Sequence, residues 1–154
     1  MRNLSEVEVR LRDAESSLRS AENNFMLRDW KVTVQNAQLC IELSAKAVIA
    51  YFEEPWWTHD PSEQLLSVIE ARKEELEALR DVLQRLYALA EDAEMAAPWH
   101  AWSTYGRRAE DGSWVPAVEL CSEGTAKDIL GRARRSYETA REFFETICPR
   151  DKST

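Results

Sequence analysis

The chain has 154 residues, of which 44% are hydrophobic and 31% charged, so it holds enough apolar material to bury a core. Its net charge of −8 excludes a protein that wraps duplex DNA through a basic surface. With 4 glycines and 5 prolines, it has too few turn-forming residues for a sheet protein. The composition therefore predicts an acidic, mainly helical protein, and we expect a single domain over residues 1–154.

The chain shows no targeting or membrane signal. Its N-terminus carries Glu6 and lacks an apolar run, which argues against a signal peptide. The most apolar stretch, residues 37–52, is interrupted by Glu42 and Lys46, so we expect no membrane span. We therefore expect a cytoplasmic protein in which the three widely spaced cysteines are free thiols: Cys40, Cys121 and Cys148.

Two amphipathic helices are predicted in the first third of the chain. Apolar residues recur at spacings of three and four over residues 4–25, and Asp29 is placed to cap a second helix from Trp30 to Phe52. The second half of that helix is apolar on most faces, which predicts a central helix or one covered by a second subunit, and hence a homodimer. A narrow polar row remains along it: Gln35, Gln38, Glu42 and Lys46.

The rest of the chain predicts further helices around one long loop. Asp60 and Pro61 begin a helical pattern that reaches residue 97, either as one kinked helix or as two with a turn near residues 72–75. Residues 98–124 lack periodicity and are interpreted as a long irregular loop. The last helix is expected to begin at Thr125 and to stop before Pro149. The fold class is therefore all-α, an antiparallel up-down bundle of four to five helices.

Several segments resemble the higher-eukaryote-and-prokaryote nucleotide-binding (HEPN) domain family. The second helix carries Ala-Gln-Leu-Cys-Ile-Glu-Leu-Ser-Ala-Lys-Ala at residues 37–47, and Thr-His-Asp-Pro follows at residues 58–61. Ser-Thr-Tyr-Gly at residues 103–106 is similar to the family's Ser-Arg-Tyr-Gly/Pro segment, with Thr104 in place of Arg. The resemblance covers most of the chain outside residues 107–124.

This resemblance implies a helical bundle that is commonly dimeric and is often paired with a nucleotidyltransferase or acts as a toxin component. The family's ribonucleases use an Arg-x(4–6)-His motif, and no arginine stands at that spacing before His59 or His100. We therefore expect no catalytic residues and interpret the chain as a non-catalytic binding or accessory module. The alternative is a divergent ribonuclease that lacks the usual motif.

A nucleotide is the ligand that the remaining residues suggest. Aromatic faces stack on bases and cationic donors meet phosphate. The candidate ligand-binding residues are Glu42, Lys46, Trp57, His59, Tyr105 and Arg107. Each has a plainer interpretation. Glu42 and Lys46 fit a solvated i,i+4 pair, and His59 fits a loop residue packed on Trp56 or Trp57.

No metal or cofactor is predicted. The sequence contains neither His-x-x-x-His nor Glu-x-x-His, the spacings that place metal ligands on one helix face. Arg107, Arg108 and the arginines of the last helix fit either phosphate-binding groups or a solvated basic face. The six tryptophans likewise fit a base-stacking platform, the core or a dimer contact.

Overall fold

The computed structural model describes residues 4–79 and 81–152, with side chains as far as residue 147. It is an all-α bundle, as predicted, with one short β-hairpin. The helices are α1 Leu4–Met26, α2 Trp30–Phe52, α3 Ser62–Ala71, α4 Lys73–Glu77, α5 Val82–Ala96, α6 Trp99–Tyr105, α7 Ala117–Leu120 and α8 Glu123–Lys152. Strands β1 Arg107–Arg108 and β2 Trp114–Val115 pair antiparallel between α6 and α7.

Local signals determine the reversal between α1 and α2. Arg28 adopts a left-handed conformation with φ of 64°, and the Asp29 N–H donates to the Asn24 carbonyl over 2.9 Å, which closes α1 in a Schellman motif. The Asp29 carboxylate then accepts the Val32 N–H over 3.2 Å and caps α2. The predicted bounds of α2 are confirmed because this cap stands directly before its apolar run.

The core forms around α2, which packs against α1, α3, α5, α6, α7 and α8. Ile41, Ala45, Val48 and Ile49 are fully or almost fully buried within the chain. The apolar faces of α2 therefore need no second subunit, so a homodimer stays a prediction that must rest on another surface.

The segment from residue 60 to residue 97 is divided into three helices. The Asp60 carboxylate accepts the Ser62 N–H over 3.0 Å, but Pro61 and not Asp60 occupies the N-cap position, so α3 begins one residue later than the pattern indicated. The chain then breaks at Arg72 and again before α5, where Asp81 has a φ of 61°. These breaks allow α3 and α5 to pack against each other. The break at Arg72 lies at the edge of the predicted turn, whereas the break before α5 was not predicted, so neither one kinked helix nor two helices describes this segment.

The prediction of an irregular loop over residues 98–124 is wrong. This segment contains α6, the β-hairpin and α7. Each element is too short to show a hydrophobic period, and this explains why pattern reading misses them. Helix α8 also begins earlier than expected, at Glu123, with the Ser122 hydroxyl accepting the Thr125 N–H over 3.2 Å.

The expected end of the last helix is also corrected, because α8 continues through Pro149 to Lys152. A proline this near a helix end removes one N–H bond and leaves little helix beyond it. Cys40 and Cys121 are buried free thiols, as expected, and burial raises the pKa of Cys40 to about 12. The side chain of Cys148 lies outside the described residues. No helix in the described ranges has both the length and the apolar character that crossing a bilayer requires.

Candidate functional site

The polar row of α2 is covered by two other parts of the chain. Gln35 donates to the Ser103 carbonyl of α6 over 3.0 Å, which ties α6 along α2. Glu42 is only 6% exposed, although its i,i+4 spacing to Lys46 suggested a solvated pair. That interpretation is wrong, because α6 and the loop before α3 lie over this face of α2 and exclude water from it.

Glu42 is the centre of a hydrogen-bonded cluster. Its Oε1 accepts from Gln38 Nε2 and lies equally close to His59 Nδ1, each over 3.2 Å. Its Oε2 accepts from Lys46 Nζ over 3.2 Å, and the Lys46 side chain is only 12% exposed. A buried carboxylate is stable only with such partners, so the surrounding side chains are held in place by their bonds to Glu42.

The chain's two histidines meet in this cluster. The rings of His59 and His100 stack with their centroids 3.5 Å apart and their planes at 16°. His100 Nδ1 lies 3.4 Å from Gln38 Oε1, so the second histidine is also tied to the polar row. His59 therefore packs on His100 and not on Trp56 or Trp57. We name Gln38, Glu42, Lys46, His59 and His100 the histidine cluster.

Aromatic and basic side chains gather at the other end of α6. The guanidinium of Arg107 lies over the Trp102 ring, 4.5 Å from its centroid, and that of Arg108 lies over Trp114 at 5.3 Å. The Trp114 Nε1–H donates to the Tyr105 carbonyl over 3.0 Å, which fixes the hairpin to the end of α6. We name Trp102, Tyr105, Arg107, Arg108 and Trp114 the hairpin surface.

Two glycines make this hairpin possible. Gly106 has a φ of 79°, and a Cβ at this position would lie 2.1 Å from the Val115 carbonyl oxygen. Gly112 has a φ of 85° with open space around it, and its N–H donates to the Ala109 carbonyl over 3.0 Å in the turn. The Asp111 carboxylate accepts from the Ser113 side chain and N–H, and these bonds lower the pKa of Asp111. The hairpin is therefore an ordered platform.

The arginines of α8 have a different role. Asp92 of α5 is buried and accepts from Arg132 over 2.8 Å and from Arg135 over 2.7 and 3.0 Å. Hydrogen bonding to Asp92 raises the pKa of Arg135, which keeps this guanidinium charged. Arg134 and Arg141 pair with Glu22 and Glu145 respectively. By contrast, within the described part of the chain neither Arg107 nor Arg108 forms an ion pair.

The structure divides the predicted site residues between two places. Glu42, Lys46 and His59 are in direct contact in the histidine cluster. Tyr105, which is 71% exposed, and Arg107 belong to the hairpin surface. Trp57 stands fully exposed on the loop that carries His59. The candidate list omits several members of the two groups, although Arg108 and the tryptophans also fit phosphate and base binding. The omitted residues are Gln38, His100, Trp102, Arg108 and Trp114.

One signal for the cluster was present in the sequence. A polar row on an otherwise apolar helix requires hydrogen-bonding partners if that helix is central, and the two histidines are polar side chains able to supply them. Glu42, His59 and His100 also bring three potential metal-ligand atoms within 4.8 Å of one another. The spacing rules behind the prediction of no metal site search a single helix, and these residues come from α2, a loop and α6.

Comparison with known proteins identifies one family. A family model described as "HEPN domain" matches residues 7–147, nearly the whole chain. No curated protein matches this chain. The matched range includes both the histidine cluster and the hairpin surface.

Proposed function

This chain belongs to the HEPN domain family, and on that premise we propose that it is a non-catalytic binding module for a nucleotide-like ligand. We place it in the cytoplasm, in keeping with the free thiols of Cys40 and Cys121. We further propose that it acts with a nucleotidyltransferase partner, the association that resemblance to this family implies. The ligand site is the hairpin surface.

The observation that carries this proposal is that the two hairpin arginines are not paired with carboxylates in the ranges that the structure describes. In a chain with a net charge of −8, Arg107 and Arg108 have no carboxylate partner among the described residues and lie over tryptophan rings. An arginine stacked on a ring keeps its guanidinium edge available for a phosphate, which it binds through paired N–H donors. Arg108 also donates one N–H to the Gly112 carbonyl over 3.0 Å, which orients it.

The aromatic members of the surface suit the base of the same ligand. Trp114 is 57% exposed and Tyr105 is 71% exposed, so both rings present area to solvent. Stacking of a base on such a ring contributes about 1–3 kcal/mol and tolerates different bases. An open surface removes little water from the ligand, so we expect a dissociation constant on the order of micromolar or weaker.

The contacts within the histidine cluster favour binding over catalysis. A ribonuclease needs a cation near the phosphate and a histidine able to exchange protons with the substrate. Lys46 is mostly buried and its ammonium is bonded to Glu42, so it is not available to a phosphate, although the His59 side chain is 61% exposed. We therefore expect no cleavage of single-stranded RNA, with or without divalent ions. Cleavage that is lost in His59→Ala would establish the divergent ribonuclease instead.

Calorimetric titration of ATP and of a short oligonucleotide tests the binding site. In EDTA, wild type should bind, and the double variant Arg107→Ala/Arg108→Ala should bind at least about tenfold more weakly, since two phosphate contacts are lost. The double variant Arg134→Ala/Arg141→Ala is the matched control, because it removes the same charge from α8. If both double variants lost the same affinity, the loss would be explained by the change in net charge and not by a site at the hairpin. If wild type did not bind either ligand, the proposal would be refuted.

Lys46→Ala belongs in the same experiment. Unchanged binding by this variant would confine the ligand to the hairpin surface. Weaker binding, with the fold intact by circular dichroism, would extend the site along α6 to the histidine cluster. Tyr105 lies five residues beyond His100, about 7.5 Å of helix rise and about 140° around the helix axis, so unchanged binding is the expected result.

A further inference from the structure

We propose that Glu42, His59 and His100 form a three-ligand site for a late first-row divalent ion, with Zn²⁺ as the reference ion. Their ligand atoms lie within 4.8 Å of one another. In a tetrahedral zinc site with bonds of about 2.0–2.1 Å, two ligand atoms are about 3.3 Å apart. His59 Nδ1 and Glu42 Oε1 are 3.2 Å apart, and the two imidazole centroids are 3.5 Å apart.

Neighbouring side chains form hydrogen bonds that orient the three ligand residues. Gln38 Oε1 lies 3.4 Å from His100 Nδ1, and accepting that N–H leaves the other ring nitrogen of His100 unprotonated. Lys46 Nζ donates to Oε2 of Glu42, which leaves Oε1 as the oxygen on the side of the histidines. Such outer contacts fix the tautomer and the direction of a ligand. Gln38 and Lys46 are therefore positioning residues.

The donor set selects the class of ion. Two imidazole nitrogens and one carboxylate oxygen suit zinc, copper, nickel or cobalt, whereas Mg²⁺ and Ca²⁺ prefer oxygen ligands alone. Three protein ligands leave a fourth position open, as in zinc sites that bind water or a small ligand. The carboxylate is buried while the His59 side chain is 61% exposed, so the ion would enter from the histidine side.

This site is independent of the proposed nucleotide site, because no member of the hairpin surface contributes a ligand. The composition also makes the site easy to test. The sequence contains 2 histidines in total, so any histidine-dependent metal binding must involve at least one of these two, and a site that needs both is lost when either is replaced. His59→Phe and His100→Phe keep an aromatic ring for stacking and remove the ligand nitrogen, which separates metal binding from simple ring packing.

The experiment uses tag-free protein treated with EDTA, exchanged into metal-free buffer and titrated with Zn²⁺ and Co²⁺. Wild type should bind one ion per chain, melt at a higher temperature with Zn²⁺ than without it, and give the intense visible absorption of tetrahedral Co²⁺. His59→Phe and His100→Phe should each weaken Zn²⁺ binding about 100-fold or more, and Gln38→Leu about 10- to 100-fold. Glu94→Gln, an exposed carboxylate on α5, is the control and should bind as wild type does.

Three results would overturn the proposal. The first is that wild type does not bind Zn²⁺. The second is that both histidine variants still bind one Zn²⁺ per chain, and the third is that Glu94→Gln weakens Zn²⁺ binding as much as they do. Persistence in both variants would assign the ion to other groups, such as the cysteines. Melting of each metal-free variant checks that it is folded, and His59→Gln replaces His59→Phe if the larger side chain unfolds the protein. ATP titration of His59→Phe in EDTA tests the nucleotide site separately.

Discussion

The two arginine-rich regions of this protein look alike in sequence and differ in what surrounds them. On α8, Arg132 and Arg135 bind the buried Asp92, and Arg134 pairs with Glu22. On the hairpin, Arg107 and Arg108 lie over tryptophan rings. The α8 arginines join helices within the bundle, whereas the hairpin arginines keep donors directed to solvent. A cluster of arginines therefore indicates a ligand site only when no carboxylate of the same chain neutralises it.

The largest effect is expected from Asp92→Asn, which removes the charge that Arg132 and Arg135 share. Asparagine keeps one accepting oxygen but replaces the other with an NH2 donor that faces an arginine, and the carboxylate charge is lost. Both arginines still reach solvent, so we expect a loss of about 2–3 kcal/mol in the free energy of unfolding. Urea denaturation measures it. The double variant Arg107→Ala/Arg108→Ala should change stability by less than about 0.5 kcal/mol. Similar losses in the two variants would erase the distinction between the regions.

The next effect is expected from Gly106→Ala. It places a Cβ against the Val115 carbonyl oxygen at a left-handed position, so we expect about 2 kcal/mol of destabilisation and a displaced hairpin that binds ATP more weakly. Gly112→Ala is the matched control, because it shares the positive φ but has open space around its Cβ, and it should cost about 1 kcal/mol. Thermal melting and calorimetry measure both consequences. Normal ATP binding by Gly106→Ala would show that the hairpin position does not matter for the ligand.

The smallest effect is expected from salt. Raising the ionic strength from about 0.1 M to about 1 M shortens the screening length from about 10 Å to about 3 Å, which weakens exposed ion pairs more than buried ones. ATP binding at the hairpin should weaken about fivefold, or about 1 kcal/mol. The difference in stability between wild type and Asp92→Asn should remain nearly constant in the same buffers. If that difference in stability changed strongly with salt, the Asp92 contacts would be screened as exposed ion pairs are, and the two regions would not differ in this respect.

Structure that depends on neighbouring residues could be predicted from this sequence, whereas structure that depends on distant contacts could not. The bounds of α2 were predicted correctly because Asp29 and the apolar period are local features. The structure within residues 98–124 was missed because α6, the hairpin and α7 are each shorter than the window over which a period can be seen. Three of the six candidate ligand-binding residues lie together in the structure. Glu42, Lys46 and His59 do meet, but their burial and the part played by His100 depend on the packing of α6 against α2.

The sequence alone determined where the long helices form, since helix propensity, capping and apolar spacing act between residues a few positions apart. It also determined the family, because the family's sequence pattern can be matched along the chain without knowledge of the structure. Only the tertiary structure decided which polar groups are buried and which charges are neutralised. An i,i+4 pair such as Glu42 and Lys46 has the same spacing whether water or another helix covers it, and Arg107 resembles Arg134 until their neighbours are known. Burial and charge pairing arise from contacts between distant segments, and these exist only after the bundle has assembled.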